Sequence, residues 1–170
     1  AVLATLLQPG DRLLELGSGC GYLATAAAQT LGSDAVVTVE ADPQMEPTIR
    51  KTFALNGVSP RLVVGAVSRD TSPREVLRAD NFWSTKTRPG GTVPALPLSD
   101  LLREAQPTVL LCDIEGGEGD LCGEPLPESL RAVVIETHSD ALDRQVTGWL
   151  TAQSYRLTQS VDRTRVFTRG

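Results

Sequence analysis

The chain has 170 residues, of which 41% are hydrophobic and 22% charged, and its formal net charge is −5. This predicts a single domain over residues 1–170 and excludes a membrane span, since no run reaches the roughly 20 apolar residues that a span requires. The negative charge gives no reason to expect nucleic-acid phosphate as a partner. We therefore expect a cytoplasmic protein with no membrane and no nucleic-acid partner.

The cysteines do not form a recognisable framework. Cys20, Cys112 and Cys122 are odd in number, widely spaced and without a Cys-x-x-Cys pair. This argues against a disulfide scaffold or a structural zinc site and predicts reduced thiols. The chain begins at Ala1 with no signal-peptide pattern, and the missing initial Met is compatible with a preceding segment.

Helices and strands alternate in the first part of the chain. Strands are predicted over residues 12–16, 35–39 and 61–67, and helices over residues 1–7, 22–31 and 43–56. Asp42 is the expected N-cap of the last helix, with Pro43 at its first position. Because the strands are continuous apolar runs, both of their faces should be buried, as in a parallel sheet with helices on both sides.

The regular pattern lapses at about residues 68–97 and then resumes. This stretch is predicted as an irregular insertion with a short helix over residues 71–79 and extended segments over 81–85 and 92–96, projecting as a lid or hairpin. A helix over 98–104, strands over 108–112 and 131–135 and a helix over 140–153 follow. Strands over 155–159 and 164–168, joined by a turn at Asp162, predict an antiparallel edge to a mostly parallel sheet.

A glycine-rich turn follows the first strand and predicts a ligand site. Gly17, Gly19 and Gly21 allow a sharp bend and close approach of a ligand to a helix N-terminus. The dinucleotide fingerprint requires Gly or Ala where Tyr22 stands, and a nearby Glu15 disfavours a pyrophosphate. Glu15 suits an ammonium group instead.

Glu40 follows the second strand and can accept both hydroxyls of a ribose. A cationic ligand with a ribose and no phosphate describes S-adenosylmethionine. Two alternatives remain: an NAD(P)-dependent oxidoreductase and a non-catalytic S-adenosylmethionine-binding module. The acids at the strand ends weigh against the non-catalytic module.

Several motifs resemble a known family. Glu15-Leu-Gly-Ser-Gly-Cys-Gly21 looks like the first motif of class I, Rossmann-like methyltransferases. Asp113-Ile-Glu-Gly-Gly-Glu118 and Val133-Val-Ile-Glu-Thr-His138 resemble the FkbM family of S-adenosylmethionine-dependent O-methyltransferases. The resemblance implies a three-layer Rossmann-like α/β fold and methylation of a hydroxyl on a small-molecule or sugar-like acceptor. Ala41 departs from the usual Glu-Pro that ends the second strand in the family.

The expected cofactor-binding residues lie at the ends of the first, second and fourth strands. The glycines would hold the methionine part of the cofactor, Glu15 its amino group and Glu40 its ribose. These residues are Glu15, Gly17, Ser18, Gly19, Gly21, Glu40, Ala41 and Asp113.

Candidate catalytic bases cluster at the ends of the fourth and fifth strands. Asp113, Glu115 and His138, the single histidine, could each take the proton of the acceptor, and a neutral imidazole is well matched to pH 7. Asp113, Glu115, Glu118 and Asp120 could bind a divalent cation, but acidic loops are often just solvated, so we predict no metal. Phe82 and Trp83 are expected to anchor the insertion rather than to cover the acceptor.

Overall fold

The computed structural model describes residues 2–78 and 85–170. In the first part of the chain, helices alternate with the strands of the main sheet. The strands are β1 (Leu13–Leu16), β2 (Val36–Glu40) and β3 (Arg61–Val64). The helices are α1 (Val2–Leu6), α2 (Tyr22–Leu31) and α3 (Glu46–Leu55), with short 3-10 turns at Ser33–Ala35 and Pro43–Met45.

The described residues after β3 form eight strands and two helices. The strands are β4 (Ala66–Ser68), β5 (Arg74–Leu77), β6 (Lys86–Pro89), β7 (Ala95–Pro97), β8 (Val109–Cys112), β9 (Ala132–Glu136), β10 (Arg156–Val161) and β11 (Thr164–Thr168). The helices are α4 (Leu98–Ala105) and α5 (Asp140–Ala152), with a 3-10 turn at Glu118–Leu121. None of the described helices is long and apolar enough to cross a membrane.

The main sheet has seven strands in the order β10-β11-β9-β8-β1-β2-β3. Strands β3, β2, β1, β8 and β9 are parallel, and Leu14 in the central strand pairs with Val37 on one side and Leu110 on the other. Strand β11 runs antiparallel to both β9 and β10, as predicted. Chain connections leave β1 and β8 in opposite directions, so a crevice opens beyond their carboxyl ends.

Apolar side chains cover both faces of the sheet. Helices α2 and α3 pack Ala24, Ile49 and Phe53 against one face, and the opposite core contains Leu101 of α4 and Trp149 of α5. Burial on both faces explains why the parallel strands are continuous apolar runs. The predicted three-layer α/β architecture is confirmed.

The predicted third strand is wrong beyond Val64. The backbone turns at Gly65, and Ala66–Ser68 leaves the main sheet to pair in parallel with Ala95–Pro97. A Cβ on Gly65 would lie 2.6 Å from Leu96 Cδ1 and 3.0 Å from Pro94 O, so only glycine allows this approach. The apolar run in the sequence therefore hides a change of sheet.

The predicted helix over residues 71–79 is also wrong. Strand Arg74–Leu77 pairs antiparallel with Lys86–Pro89, and Arg74 makes an isolated bridge with Val93. These non-local partners override a weak helical pattern. The predicted extended segment over 81–85 lies outside the described residues except for Thr85, and so do Phe82 and Trp83.

A buried carboxylate joins the amino ends of three central strands. Asp11, just before β1, accepts hydrogen bonds from Thr108 Oγ1 at 2.7 Å and from Arg131 Nε at 3.0 Å, the residues that precede β8 and β9. Gln8 N donates to its other oxygen at 2.7 Å. Burial alone would raise the pKa of Asp11, but these donors together hold it below its ordinary value.

We expect Asp11→Asn to lower the free energy of unfolding at pH 7 by about 2 kcal/mol, because charge-assisted bonds are lost. Since the pKa is lower in the folded chain, the carboxylate stabilises the fold above the unfolded pKa of about 3.9, and this contribution disappears as the pH falls through the folded pKa. Urea unfolding at pH 7 and pH 3 measures the difference. Exposed Asp34→Asn is the control and should change neither value; an equal loss at both pH values would contradict the electrostatic origin.

Candidate functional site

A cleft of about 290 Å³ opens at the carboxyl ends of β1, β2 and β8. Eight of the ten predicted site residues line it. They are Glu15, Gly17, Ser18, Gly19, Glu40, Ala41, Asp113 and Glu115. Gly65, Ala66 and Val67, where the chain leaves the main sheet, form another part of the wall. The cleft therefore lies where open parallel sheets bind ligands.

The glycine turn is held by backbone contacts. Gly17 N and Ser18 N both donate to Val39 O, at 3.0 and 3.1 Å. Gly17 has a φ of 91°, and a Cβ there would lie 1.8 Å from Asp113 O. Gly17 is thus required for the turn to lie against the end of β8. Gly19 lines the cleft, and a Cβ there would meet no described atom within 4 Å.

Gly21 has a packing role and lies outside the cleft lining. It is the N-cap of α2 with a φ of 81°, and a Cβ would approach Phe53 to 2.9 Å and Ile49 to 3.1 Å. Gly21 therefore lets α2 lie close to α3. Tyr22, used above as a reason against a dinucleotide, is 69% exposed and does not restrict helix packing.

Glu40 is the buried acid at the end of β2. Its Oε2 accepts from Gly19 N at 3.1 Å and its Oε1 from Asp42 N at 2.9 Å. Burial raises the pKa of Glu40, and the two backbone donors oppose that rise. Each oxygen keeps a lone pair for a further donor, as two ribose hydroxyls would require.

Asp42 is occupied by structural partners. Its Oδ1 accepts from Gln44 N at 2.9 Å, which confirms the predicted cap, and both oxygens bond the Arg78 guanidinium at 2.6 and 2.7 Å. The hydrogen bond with Arg78 lowers the pKa of Asp42. This ion pair attaches the end of the β5 hairpin strand to the rim of the cleft.

Glu15 lies inside β1 rather than beyond its end. Its side chain is fully buried, its Oε2 accepts from Thr38 Oγ1 on the neighbouring strand, and its Oε1 has no hydrogen-bond partner among the described residues. Burial raises the pKa of Glu15 from 4.5 to about 8. Thr38 was not predicted as a partner, because register between strands is not visible in a single sequence.

We expect Glu15→Gln to stabilise the ligand-free protein at pH 8 by about 2 kcal/mol and to change it little at pH 5. Because the pKa of Glu15 is higher in the folded chain, unfolding releases its proton, so the wild type loses stability as the pH rises from 4.5 towards 8. Urea unfolding at the two pH values tests this. A variant less stable than the wild type at pH 8 would contradict it.

The three candidate bases lie close together at the ends of β8 and β9. His138 Nε2 is 3.6 Å from Asp113 Oδ1 and 3.4 Å from Glu115 Oε2. Burial and the neighbouring Glu136 carboxylate raise the pKa of Asp113 to about 6. Glu115 has a φ of 53°, a backbone conformation that non-glycine residues rarely adopt. His138 itself does not line the cleft but reaches it through these two acids.

Glu118 is a functional candidate that the sequence suggested only as a possible cation ligand. It was placed in a solvated acidic loop, yet its side chain is completely buried. Its Oε1 lies 2.6 Å from His138 Nδ1 and accepts from Gly116 N at 3.1 Å. The sequence shows the Glu-Gly-Gly-Glu spacing, but it does not show which of these side chains points into the protein.

The same cluster has ligand atoms for a cation. Asp113, Glu115 and His138 each bring one such atom to within 4.8 Å of the other two. This group differs from the four acids considered above, because Asp120 instead lies 3.6 Å from Arg74 Nη2. The absence of a metal stays a prediction.

The cleft fits S-adenosylmethionine on its own chemistry. Glu15 Oε1 and Ser18 Oγ are buried polar atoms without a hydrogen-bond partner in the described chain, and both residues line the cleft. Such atoms are costly unless a ligand pairs with them. Glu15 would match the ammonium group of this ligand, the Ser18 hydroxyl its carboxylate and Glu40 its ribose.

A known family profile matches the first part of the chain. The sequence profile of the protein-L-isoaspartate(D-aspartate) O-methyltransferase (PCMT) family matches residues 1–67. The ribosomal protein L11 methyltransferase of Thermus thermophilus is 43% identical over 65 residues, 38% of this chain and 25% of that protein. A protein-L-isoaspartate O-methyltransferase of Methylorubrum populi is 39% identical over 62 residues, 36% of this chain and 28% of that protein. The chain thus spans about a quarter of the length of these curated relatives.

Solved structures match nearly the whole chain. Precorrin-6y C5,15-methyltransferase of Geobacter metallireducens has a TM-score of 0.64 at 11% identity and covers 96% of this chain and 82% of its own. Methyltransferase FkbM of Methylobacillus flagellatus has a TM-score of 0.60 at 16% identity, with coverage of 97% and 45%. A Streptococcus pneumoniae protein assigned as a tRNA (m1A22) methyltransferase, in complex with S-adenosylmethionine, has a TM-score of 0.57 at 12% identity. The match covers 99% of this chain and 71% of that chain.

These comparisons confirm the predicted fold, agree with the predicted cofactor and correct one prediction. A methyltransferase family profile matches residues 1–67, and one neighbour of the same fold was solved in complex with S-adenosylmethionine. The FkbM assignment is not distinguished from other methyltransferases at 16% identity. The expected partners, a small-molecule acceptor and no nucleic acid, are contradicted, because similar proteins are named for ribosomal protein L11 and for tRNA. Net charge alone was an inadequate basis for that exclusion.

Proposed function

We propose that this chain, a class I S-adenosylmethionine-dependent methyltransferase, transfers a methyl group to a protein side chain. The observation that carries the proposal is that Asp113 and Glu115, with His138 beside them, line the same cleft as Glu40. Cofactor residues and proton acceptors thus share one sheet edge. Residues 1–170 would form the catalytic domain, with residues 68–97 inserted beside the cleft, in a cytoplasmic protein.

The cofactor, when bound, supplies an electrophilic methyl group on a sulfonium sulfur. The chain provides the surroundings: Glu40 would accept the ribose hydroxyls, Gly17 and Gly19 would hold the methionine part, and Glu15 would accept from the ammonium group. Fixing both reactants in one cleft supplies much of the rate enhancement of a displacement reaction.

The acid cluster favours an acceptor that must lose a proton. A hydroxyl or amine can be deprotonated by a carboxylate or by imidazole. A carboxylate acceptor would instead meet Asp113 and Glu115 with the same charge. O-methylation of a hydroxyl, implied by the FkbM resemblance, remains within this proposal for the acceptor atom.

A protein acceptor is favoured by likeness to curated proteins. Among the similar proteins, one is named for ribosomal protein L11 and another for isoaspartate in proteins.

The experiment uses S-adenosylmethionine labelled with tritium in its methyl group. Ribosomes and total protein from bacterial cells are incubated with the chain, and each product is treated with nuclease or protease before counting. Label that survives nuclease and is released by protease is the expected result. Label released only by nuclease would assign a nucleic-acid acceptor and overturn the protein proposal, and no label above a Glu40→Ala control would overturn the activity.

A further inference from the structure

We propose that His138 is the base that takes the acceptor's proton and that buried Glu118 is the positioning residue that holds its Nε2 free for this task. The role of His138 as base rests on the proposed methyl transfer, but the main test below measures the protonation of His138 and does not depend on that transfer. Nothing in the likeness to other methyltransferases assigns a role to Glu118.

Glu118 is fixed in place by the protein around it. It begins the 3-10 turn Glu118–Leu121, which lies beside α5, and its side chain has no exposed surface. Gly116 N donates to Oε1 at 3.1 Å, so the loop that carries Glu115 also holds the Glu118 carboxylate. A carboxylate held this way can orient the ring that it contacts.

The contact with Glu118 determines which ring nitrogen carries the proton. A carboxylate only accepts hydrogen bonds, and its Oε1 lies 2.6 Å from His138 Nδ1. The neutral ring must therefore be protonated at Nδ1, and Nε2 keeps its lone pair. That lone pair lies on the side of Asp113 and Glu115, at 3.6 and 3.4 Å.

The same surroundings stabilise the protonated ring. Burial alone would lower the pKa of His138, but the hydrogen bond to Glu118 and the charges of Glu115 and Asp113 raise it above its ordinary value. His138 can thus receive a proton without losing its bond to Glu118. Asp113 and Glu115 have no such buried partner in the described residues.

The proton and electron balance of the step is simple. The acceptor's O–H or N–H proton moves to His138 Nε2, and the electron pair of the acceptor atom forms the bond to the methyl carbon. The electron pair of the broken carbon–sulfur bond stays on sulfur, which loses its positive charge. The resulting imidazolium keeps Nδ1–H on Glu118 and releases the Nε2 proton to water.

The test is the tautomer of His138, read from ¹⁵N chemical shifts. His138 is the single histidine, so its two imidazole nitrogens need no assignment by mutation. We expect Nδ1–H in the wild type at a pH where the ring is neutral. Glu118→Leu removes the oxygen that accepts from Nδ1, so it should abolish this preference and lower the imidazole pKa by about 1 unit. A wild type protonated at Nε2, or an unchanged tautomer in Glu118→Leu, would overturn the proposal.

Glu115→Gln is the matched control. It removes a carboxylate near Nε2 but leaves the bond at Nδ1, so it should lower the pKa and keep the Nδ1–H tautomer. If Glu118→Leu does not fold, Glu118→Asp, which keeps the charge on a shorter side chain, should retain the tautomer with a smaller preference. Added Mn²⁺ should leave the imidazole signals sharp, and selective broadening would make His138 a metal ligand and overturn its role as base.

A second readout separates this inference from the proposed function. Glu118 does not line the cleft, so Glu118→Leu should bind S-adenosylmethionine as the wild type does in calorimetry. With a labelled acceptor, kcat should fall roughly 10²- to 10⁴-fold, while the KM for the cofactor stays unchanged. The pH at which kcat reaches its alkaline plateau should shift with the pKa of His138. Absence of transfer in the wild type would refute the function and leave the tautomer result standing.

Discussion

Gly17→Ala should unfold the protein or remove most of its stability. The added Cβ would lie 1.8 Å from Asp113 O, a backbone atom at the end of β8, and the φ of 91° adds strain. The collision can be relieved only if β1 and β8 separate in the centre of the sheet. We therefore expect the free energy of unfolding to fall by more than about 4 kcal/mol, which is exceptional for one substitution. Urea unfolding followed by circular dichroism measures it.

Gly10→Ala is a matched control for that change. Gly10 has a φ of 90°, nearly that of Gly17, but a Cβ there would meet no described atom within 4 Å. Its substitution should therefore show the conformational cost alone, about 1–2 kcal/mol. Equal losses for the two variants would mean that the collision with Asp113 does not exist.

Glu40→Gln should weaken S-adenosylmethionine binding at least about 100-fold, which corresponds to roughly 2.7 kcal/mol. The carboxylate accepts from Gly19 N and Asp42 N and is the proposed acceptor for the ribose. An amide has a single oxygen, so its NH₂ group would face one of these backbone donors. The variant loses both the ribose contact and the shape of the turn.

Glu46→Gln is the control for charge. Glu46 lies at the start of α3, is paired with Arg50 at 2.7 Å and does not line the cleft. Calorimetry should give it the affinity of the wild type. A Glu40→Gln protein that binds within threefold of the wild type would exclude Glu40 from the cofactor site.

Features set by neighbouring residues could be predicted from the sequence. Asp42 is an N-cap as expected, although of the 3-10 turn Pro43–Met45 that leads into α3, because a cap depends on residues two or three positions away. The turn at Gly17 was identifiable because strand, glycines and helix are contiguous. Glu40 and Asp113 were expected to meet because parallel strands end at the same sheet edge.

Features set by distant residues could not be predicted. The strand Arg74–Leu77 exists through its partners Lys86–Pro89, and Gly65 turns the chain because Leu96 and Pro94 lie against it. Burial of Glu118 depends on how its loop lies against His138. No local pattern distinguishes such a buried acid from a solvated one.

Substrate identity was the other point beyond the sequence. The net charge describes the chain as a whole, whereas a partner meets one surface and relatives can carry further segments. The chain covers about a quarter of the L11 and isoaspartate methyltransferases that it matches, so residues outside the shared part can contribute to their partners.

The most direct test is calorimetric titration of the chain with S-adenosylmethionine and, separately, with NADH. We predict binding of S-adenosylmethionine at one site per chain in the micromolar range, with no heat from NADH. Absence of S-adenosylmethionine binding, or tighter binding of NADH, would contradict the assignment of the cleft formed by Glu40 and the turn at Gly17.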